Sequence, residues 1–383
     1  MKKLLTLTSL LLLFFSTNLF AQEKPVTEKE DETIRVGVFI DLSGFTSIFG
    51  KATKNGIELA VEEINRSGGI NGRKIELFIE DDEGRPEYAK KAVEKLISRH
   101  KVHAVLGEVA STNSLAAAPV AQEAKIPMIS PSSTNPRVTA AGNYIFRTCF
   151  VDPLQGEAMA NFALFELGAT RIAIMNDVQS DYSKGLASSF EEMFIKYRGK
   201  VINKQSYTQN DVDFKSQLTE IKRNKPDAIY VPGYYGEVGV IVKQARELGI
   251  KVPILGGNGW DSPKLWELGG KSLENTYITN HFASDDPSYA IRNFSGIYRE
   301  KFEMEADSLA ALGYDSAYVL ADALRRAGST DGETLRKAIA QTNYNGITGR
   351  ISFDESRNPR KPVIIQKLDP KAKSFKYFST VNP

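Results

Sequence analysis

Serine, threonine, tyrosine and asparagine gathered in short loops are the residues of this chain whose types and spacing could do chemistry. One loop reads Gly107-Glu108-Val109-Ala110-Ser111-Thr112, and a second reads Ser130-Pro131-Ser132-Ser133-Thr134-Asn135-Pro136. Each follows a short apolar run, and neither holds a base that could turn a hydroxyl into a nucleophile. A hydroxyl beside a helix N-terminus can instead hold a carboxylate through charge-assisted hydrogen bonds. Taken singly, Ser111 and Thr134 also read as helix caps, the commoner use of such residues. Two such loops at equivalent strand ends shift the reading modestly toward a binding site. Further along, Asp181-Tyr182, Gly233-Tyr234-Tyr235-Gly236 and Gly256-Gly257-Asn258-Gly259-Trp260-Asp261 set aromatic and polar residues among glycines. Tyr and Trp present flat apolar surface with a polar tip, which suits closure over a small ligand. Packing beneath a loop is the competing role for Tyr235 and Trp260.

Constellations for catalysis are missing. Gly257-Asn258-Gly259 lacks the third glycine of a dinucleotide fingerprint, and no Gly-x-Ser-x-Gly elbow or Walker phosphate loop occurs. His100 and His103 lie three apart, with no carboxylate or thiol arranged to complete a metal site, and read as solvated. His281 and Cys149 read as buried rather than reactive. The expectation is therefore a binder, not an enzyme, with no cofactor and no metal; an α/β enzyme is the distant alternative.

The elements that would position these loops alternate β-branched runs with helical periodicity, the mark of parallel sheets with crossover helices. Residues 34–40 read as a strand, and Ile57, Ala60, Val61 and Ile64 as one apolar helical stripe after a loop over 41–50. Strands over 74–80, 102–106 and 127–130, with helices between them, complete a first unit. The pattern restarts with strands over 171–175, 200–207, 227–231 and 253–255, again with intervening helices. Beyond residue 276 the chain reads mainly as helix, over 289–302 and 309–327, with extended pieces at 349–353 and 363–367. These remnants are too few for a third domain, so the chain is expected to return to the first unit and cross back to the second. The fold class is α/β, two doubly wound Rossmann-like lobes joined by three crossing strands near residues 148–153, 277–282 and 346–352.

Length agrees, since single cores tend to split near 250–300 residues and this chain has 383. Lys2 and Lys3 precede an apolar run over 4–15 that is too short to span a bilayer, which reads as a secretory signal over 1–21. No cysteine follows Ala21 to carry a lipid. The polar stretch 22–33 reads as a flexible leader. Net charge is +2 over the whole chain and zero once Lys2 and Lys3 are removed, which leaves no electrostatic case for nucleic acid. With one cysteine, Cys149, no internal disulfide can form.

The series Gly68-Gly69-Ile70-Asn71-Gly72 with Asp81-Asp82, Met128-Ile129-Ser130-Pro131, Thr134-Asn135-Pro136, Tyr182 with Gly185-Leu186-Ala187, Gly233-Tyr234-Tyr235, Gln244-Ala245-Arg246 with Gly249, and Gly256 through Asp261 resembles, in order, the periplasmic branched-chain amino-acid binding proteins of the type I solute-binding fold. The resemblance implies a monomer with an N-terminal lobe over 34–149 plus 281–347 and a C-terminal lobe over 150–280 plus 348–383. It implies that Ser111 and Thr134 hold the ligand's α-carboxylate, with backbone groups of Ser132 serving carboxylate and amine. Tyr182 and Tyr234 would close from the second lobe, and Phe49 would wall the side-chain pocket. Asn258 stands where family members carry an acid for the ammonium. Either Asp261 or Glu108 supplies the missing charge, or the ligand is an amide, urea or aromatic acid; Asp261 also reads as the cap of a helix begun by Ser262-Pro263. Lobe closure would be read by the permease of an ABC transporter in the periplasm, or by a receptor if the protein serves as a sensor.

Overall fold

The computed structural model describes residues 33–382. The expected signal and all but the last residue of the expected leader lie outside the described residues. Thr33 itself opens the first strand.

Five parallel strands, β1 (Thr33–Ile40), β2 (Lys74–Asp81), β3 (Ala104–Leu106), β4 (Met128–Ser130) and β5 (Ile145–Arg147), form one sheet in the order β2-β1-β3-β4-β5. Helices α1 (Ser47–Arg66), α2 (Pro86–Ser98), α3 (Ser111–Glu123) and the short α4 (Arg137–Ala140) connect them. Both faces of β1 are apolar: Val36, Val38 and Ile40 pack toward α1, while Phe39 packs with Val93 and Leu96 of α2. A strand buried on both faces is what a sheet sandwiched by helices requires.

Helix α5 (Asp152–Asn161), extended by a π-helical turn over Phe162–Glu166, leads to a second sheet. Its strands β6 (Arg171–Asp177), β7 (Lys200–Tyr207), β8 (Ala228–Tyr230), β9 (Ile254–Gly256) and β10 (Thr276–Asn280) run parallel, joined through α6 (Asp181–Lys196), α7 (Lys215–Asn224), α8 (Tyr235–Glu247) and α9 (Lys264–Gly269). Their order, β7-β6-β8-β9-β10, repeats that of the first sheet. The chain then returns through α10 (Tyr289–Phe302), α11 (Ser308–Ala327) and α12 (Gly332–Ala340), and α11 packs along α1 of the first lobe. A hairpin of β11 (Asn343–Gly346) and β12 (Gly349–Ser352) follows, before β13 (Val363–Asp369) and β14 (Ser374–Val381) join the second sheet antiparallel beside β10. Two doubly wound lobes joined by three crossings is the expected fold class.

The departures from expectation have physical reasons. Helix α1 starts at Ser47, inside the expected loop, because Asp41 gathers the preceding turn: its carboxylate accepts from the N–H of Thr46 at 2.7 Å and from the Thr46 hydroxyl at 2.8 Å. Strand β5 has only three residues and ends in Arg147, too short and too mixed to read as a strand. Helix α5 buries residues on several sides, among them Gln155, Gly156, Ala158, Met159 and Ala160, so no apolar stripe announces it. The third crossing lies at residues 359–362 and not at 346–352. Phe353 still packs on Phe146 at 5.4 Å, Asn358 bonds Thr139 at 3.0 Å, and Arg357 donates to the Ile145 carbonyl at 3.1 Å, all in the first lobe.

Candidate functional site

A strand order of 2-1-3-4-5 leaves a crevice at the carboxyl ends of the strands where the winding reverses, between the first and third strands. Both sheets have that order, so each offers one such crevice, and the two face each other. From the first lobe come Phe49, on the opening turn of α1, Val109 in the loop after β3, Ser111 at the start of α3, Ser132 after β4, and Leu309 on α11. The second lobe contributes Tyr182 on the opening turn of α6, Tyr234 just before α8, and Asn258 and Gly259 after β9. Together they line a narrow cavity with only about 10 Å³ of free volume, far below the roughly 300–1,000 Å³ usual for small-molecule sites, as two lobes closed on each other would leave it.

The aromatic wall is built by contact. Tyr182 and Tyr234 stack at 5.1 Å and 19°, and Phe49 meets Tyr234 edge-on at 6.0 Å and 68°. The Tyr182 hydroxyl donates to Asn258 Oδ1 at 3.1 Å and accepts from the Gly259 N–H at 3.1 Å. Burial raises the phenol pKa of both Tyr182 and Tyr234, so each is a neutral hydroxyl. Other bonds close the lobes on each other. The Tyr235 hydroxyl donates to the Phe45 carbonyl at 3.0 Å, the Asp181 N–H to Thr112 Oγ1 at 3.0 Å, and Asn135 Nδ2 to the Asp181 carbonyl at 2.9 Å.

The first-lobe wall is organised from behind. Ser130 and Ser133 hydroxyls donate to the Glu108 carbonyl at 2.8 and 2.9 Å, stitching the two hydroxyl-rich loops together. Arg147, fully buried, donates to the carbonyls of Ser133 and, at 2.8 Å, Asn135, and to Thr139 Oγ1 at 3.2 Å. Sequence reasoning passed over Arg147; its signal was a lone arginine closing an apolar strand. Val109, Gly259 and Leu309 were passed over as well, the first two although their loops were singled out.

Six of the eight residues singled out from sequence come together on the cavity wall: Phe49, Ser111, Ser132, Tyr182, Tyr234 and Asn258. Thr134 does not line it. It is fully buried behind the wall with its hydroxyl unpartnered; its carbonyl accepts from the Asp152 N–H at 3.0 Å, and burial pushes the Asp152 carboxyl up to about 7. Asp261 is also absent from the wall, and its capping role fails too, since Ser262 Oγ accepts from the Lys264 N–H at 3.2 Å. The Asp261 carboxylate instead accepts from Asn280 Nδ2 at 3.0 Å and from the Ser308 N–H, the first of α11, at 3.1 Å. Glu108 is spent on its own surroundings, accepting from the backbone of Asp41 at 3.1 Å and of Ala110. Ser111 caps nothing: Ala110 holds the cap position of α3, and no side chain bonds that helix end. Its N-terminus is thereby left turned to the cavity.

The remaining chemically suggestive residues are structural. His103 Nδ1 accepts from the Arg35 N–H at 3.0 Å, and His100 packs on Phe78 at 4.7 Å, so neither is simply solvated. No group of metal-ligating side chains that could hold an ion occurs among the described residues. Burial pushes the Cys149 thiol up to about 11 and the His281 imidazole well below its usual value, with its ring stacked 3.5 Å from Phe150. No helix among the described residues is long and apolar enough to cross a membrane.

Residues 33–373 match the family model described as periplasmic binding protein. The chain is 30% identical to a Leu/Ile/Val-binding protein homolog of Brucella melitensis, over 86% of this chain and 89% of that protein. Among solved structures it is similar to a leucine binding protein of Thermotoga maritima, 38% identical with a TM-score of 0.86 over 92% of this chain and 99% of that one. A branched-chain amino acid transporter substrate binding protein of Streptococcus pneumoniae, in complex with isoleucine, is 33% identical with a TM-score of 0.86, covering 92% and 100%. Twin crevices at matching switch points and a match over almost all described residues agree, and the chain belongs to the periplasmic binding protein family.

Proposed function

We propose that this protein is the soluble binding component of an ABC transporter, exported to the periplasm without a lipid anchor. It closes two lobes around a branched-chain amino acid or a near relative and presents the closed shape to a membrane permease. The observation that carries this reading is a small cavity walled from both lobes, by Ser111 and Phe49 on one side and Tyr182, Tyr234 and Asn258 on the other. The free N-terminus of α3, with the Ser111 and Ser132 hydroxyls, receives the carboxylate. The tyrosines cover the ligand, Phe49 and Leu309 hold its apolar part, and Asn258 faces its α-substituent. Thr134 and Asp261 act outside the cavity wall. The lobes comprise 34–149 with the returning segment from 281, and 150–280 with the C-terminal strands; contacts of 353–358 with the first lobe favour ending the returning segment at 359–362 in place of 347.

Ligand favours closure only through contacts made in the closed state. A thermal-shift series with leucine, isoleucine, valine and their analogues tests the ligand class, because a ligand at 100 times its Kd adds about 2.7 kcal/mol to stability. Small-angle scattering tests the motion. An unchanged radius of gyration with a tightly bound ligand refutes closure.

A further inference from the structure

We infer that the cavity selects small carboxylic acids that carry no ammonium group, such as branched-chain 2-oxo acids, over the amino acids of the same skeleton. The inference rests on the proposed function and sharpens its ligand class. The wall is electrostatically one-sided. Its polar groups are the hydroxyls of Ser111, Ser132, Tyr182 and Tyr234 and the amide of Asn258, and none of its side chains is ionised. Hydroxyls and the uncapped N-terminus of α3 suit an anion. No anionic side chain stands on the wall to pair with a cation, and only the aromatic faces of Phe49, Tyr182 and Tyr234 would meet one.

The nearby buried carboxylates do not fill that gap. Glu108 is held by backbone N–H groups of Asp41 and Ala110, and Asp261 by Asn280 and Ser308. Asp152 lies behind the wall, within 3.0 Å of where a methyl on Gly185 would stand. Burial holds it near half-protonated at neutral pH, with its value at about 7. The one side-chain carbonyl turned to the cavity, Asn258 Oδ1, already accepts from the Tyr182 hydroxyl at 3.1 Å. An ammonium group entering here would shed its water for neutral acceptors alone, and a buried charge without an opposite partner is costly. A 2-oxo group asks only for a donor, which the hydroxyls supply.

The test is isothermal titration of the wild-type protein with leucine and with 4-methyl-2-oxopentanoate, which differ only at the α-carbon. The oxo acid is expected to bind on the order of tenfold more tightly, because leucine alone must strip water from an ammonium group that meets no opposite charge. In Asn258→Asp the order is expected to reverse, with circular dichroism confirming an unchanged fold. Leucine binding as tightly as the oxo acid, or more tightly, in the wild type overturns the inference while leaving the carboxylate site standing. Binding of neither, with scattering unchanged by both, overturns the proposed site and this inference with it.

Discussion

Asp261 couples the lobes at one atom. Its Oδ2 accepts from Asn280 Nδ2 within the second lobe and from the Ser308 N–H at the start of α11, in the first. In the proposed opening of the lobes only the second bond would break, and it lies one residue from Leu309 and three from Asn258, both on the cavity wall. Closure over a ligand and capture of the α11 N-terminus are thus one event. Removing the carboxylate in Asp261→Ala forfeits a charge-assisted bond of about 1.5–3 kcal/mol in the closed state alone, so ligand Kd is expected to rise by roughly 10- to 150-fold. Asp261→Asn keeps an acceptor at the same place and loses only the charge, so its Kd is expected to rise about fivefold, from roughly 1 kcal/mol. It also removes the negative charge that, after burial itself, helps raise the pKa of Asp307. Titration calorimetry gives the Kd values, and thermal melts without ligand serve as the control. Unchanged affinity in Asp261→Ala, with a lowered melting temperature of the free protein, would show that Asp261 stabilises one lobe and has no part in closure.

Three further outcomes follow from the same geometry. Tyr182→Phe removes the donor to Asn258 Oδ1 and strands the Gly259 N–H, so affinity should fall by about 1–3 kcal/mol with the fold intact; a calorimetric Kd within twofold of wild type would contradict it. A methyl at Gly313 would run into the Thr53 carbonyl where α11 crosses α1, so Gly313→Ala should cost about 1–3 kcal/mol in denaturant melts, and a neutral result would mean the helices part without strain. Burial raises Asp152 and Glu237 to about 7 and also raises Asp82 and Asp307. Between their unfolded values near 4 and these raised values the native state holds more protons, so stability should fall as pH climbs from about 5 to 8; a melting temperature that rises across that range would refute the assignment.

Much of the fold was legible because both faces of the sheets are buried, which makes the strands read as β-branched runs and the helices between them as apolar stripes. What escaped was short or buried all round: β5, which ends in a buried arginine, and α5, which has no solvent face to set a period. The residues of the cavity wall were legible for a topological reason. Once two sheets of order 2-1-3-4-5 are assigned, the residues after the first, third and fourth strands of each must meet, and Phe49, Ser111 and Ser132 answer Tyr182, Tyr234 and Asn258 in those places. Leu309 could not be found that way, because it arrives on a helix that returns from the far end of the chain.

The two residues that lie off the cavity wall differ in where their polar groups go. Thr134 and Asp261 were drawn toward the ligand because a polar residue in a strand-end loop is short of partners in the sequence alone. In the fold Asp261 is supplied by α11 and by β10, whereas Thr134 has its carbonyl engaged by the Asp152 N–H at 3.0 Å and its hydroxyl left without a partner. Those partners come from segments tied to the crossings between lobes, so the polar groups nearest the cavity but not on it serve the joint between the lobes. The wall itself is left without a charge of its own, and that division of labour makes ligand choice and lobe closure separable by mutation: substitutions at Asn258 should change which ligand binds, and substitutions at Asp261 should weaken the matched leucine and oxo-acid pair by the same factor. Unequal losses for the two ligands in Asp261→Asn would mean that its charge reaches the ligand after all.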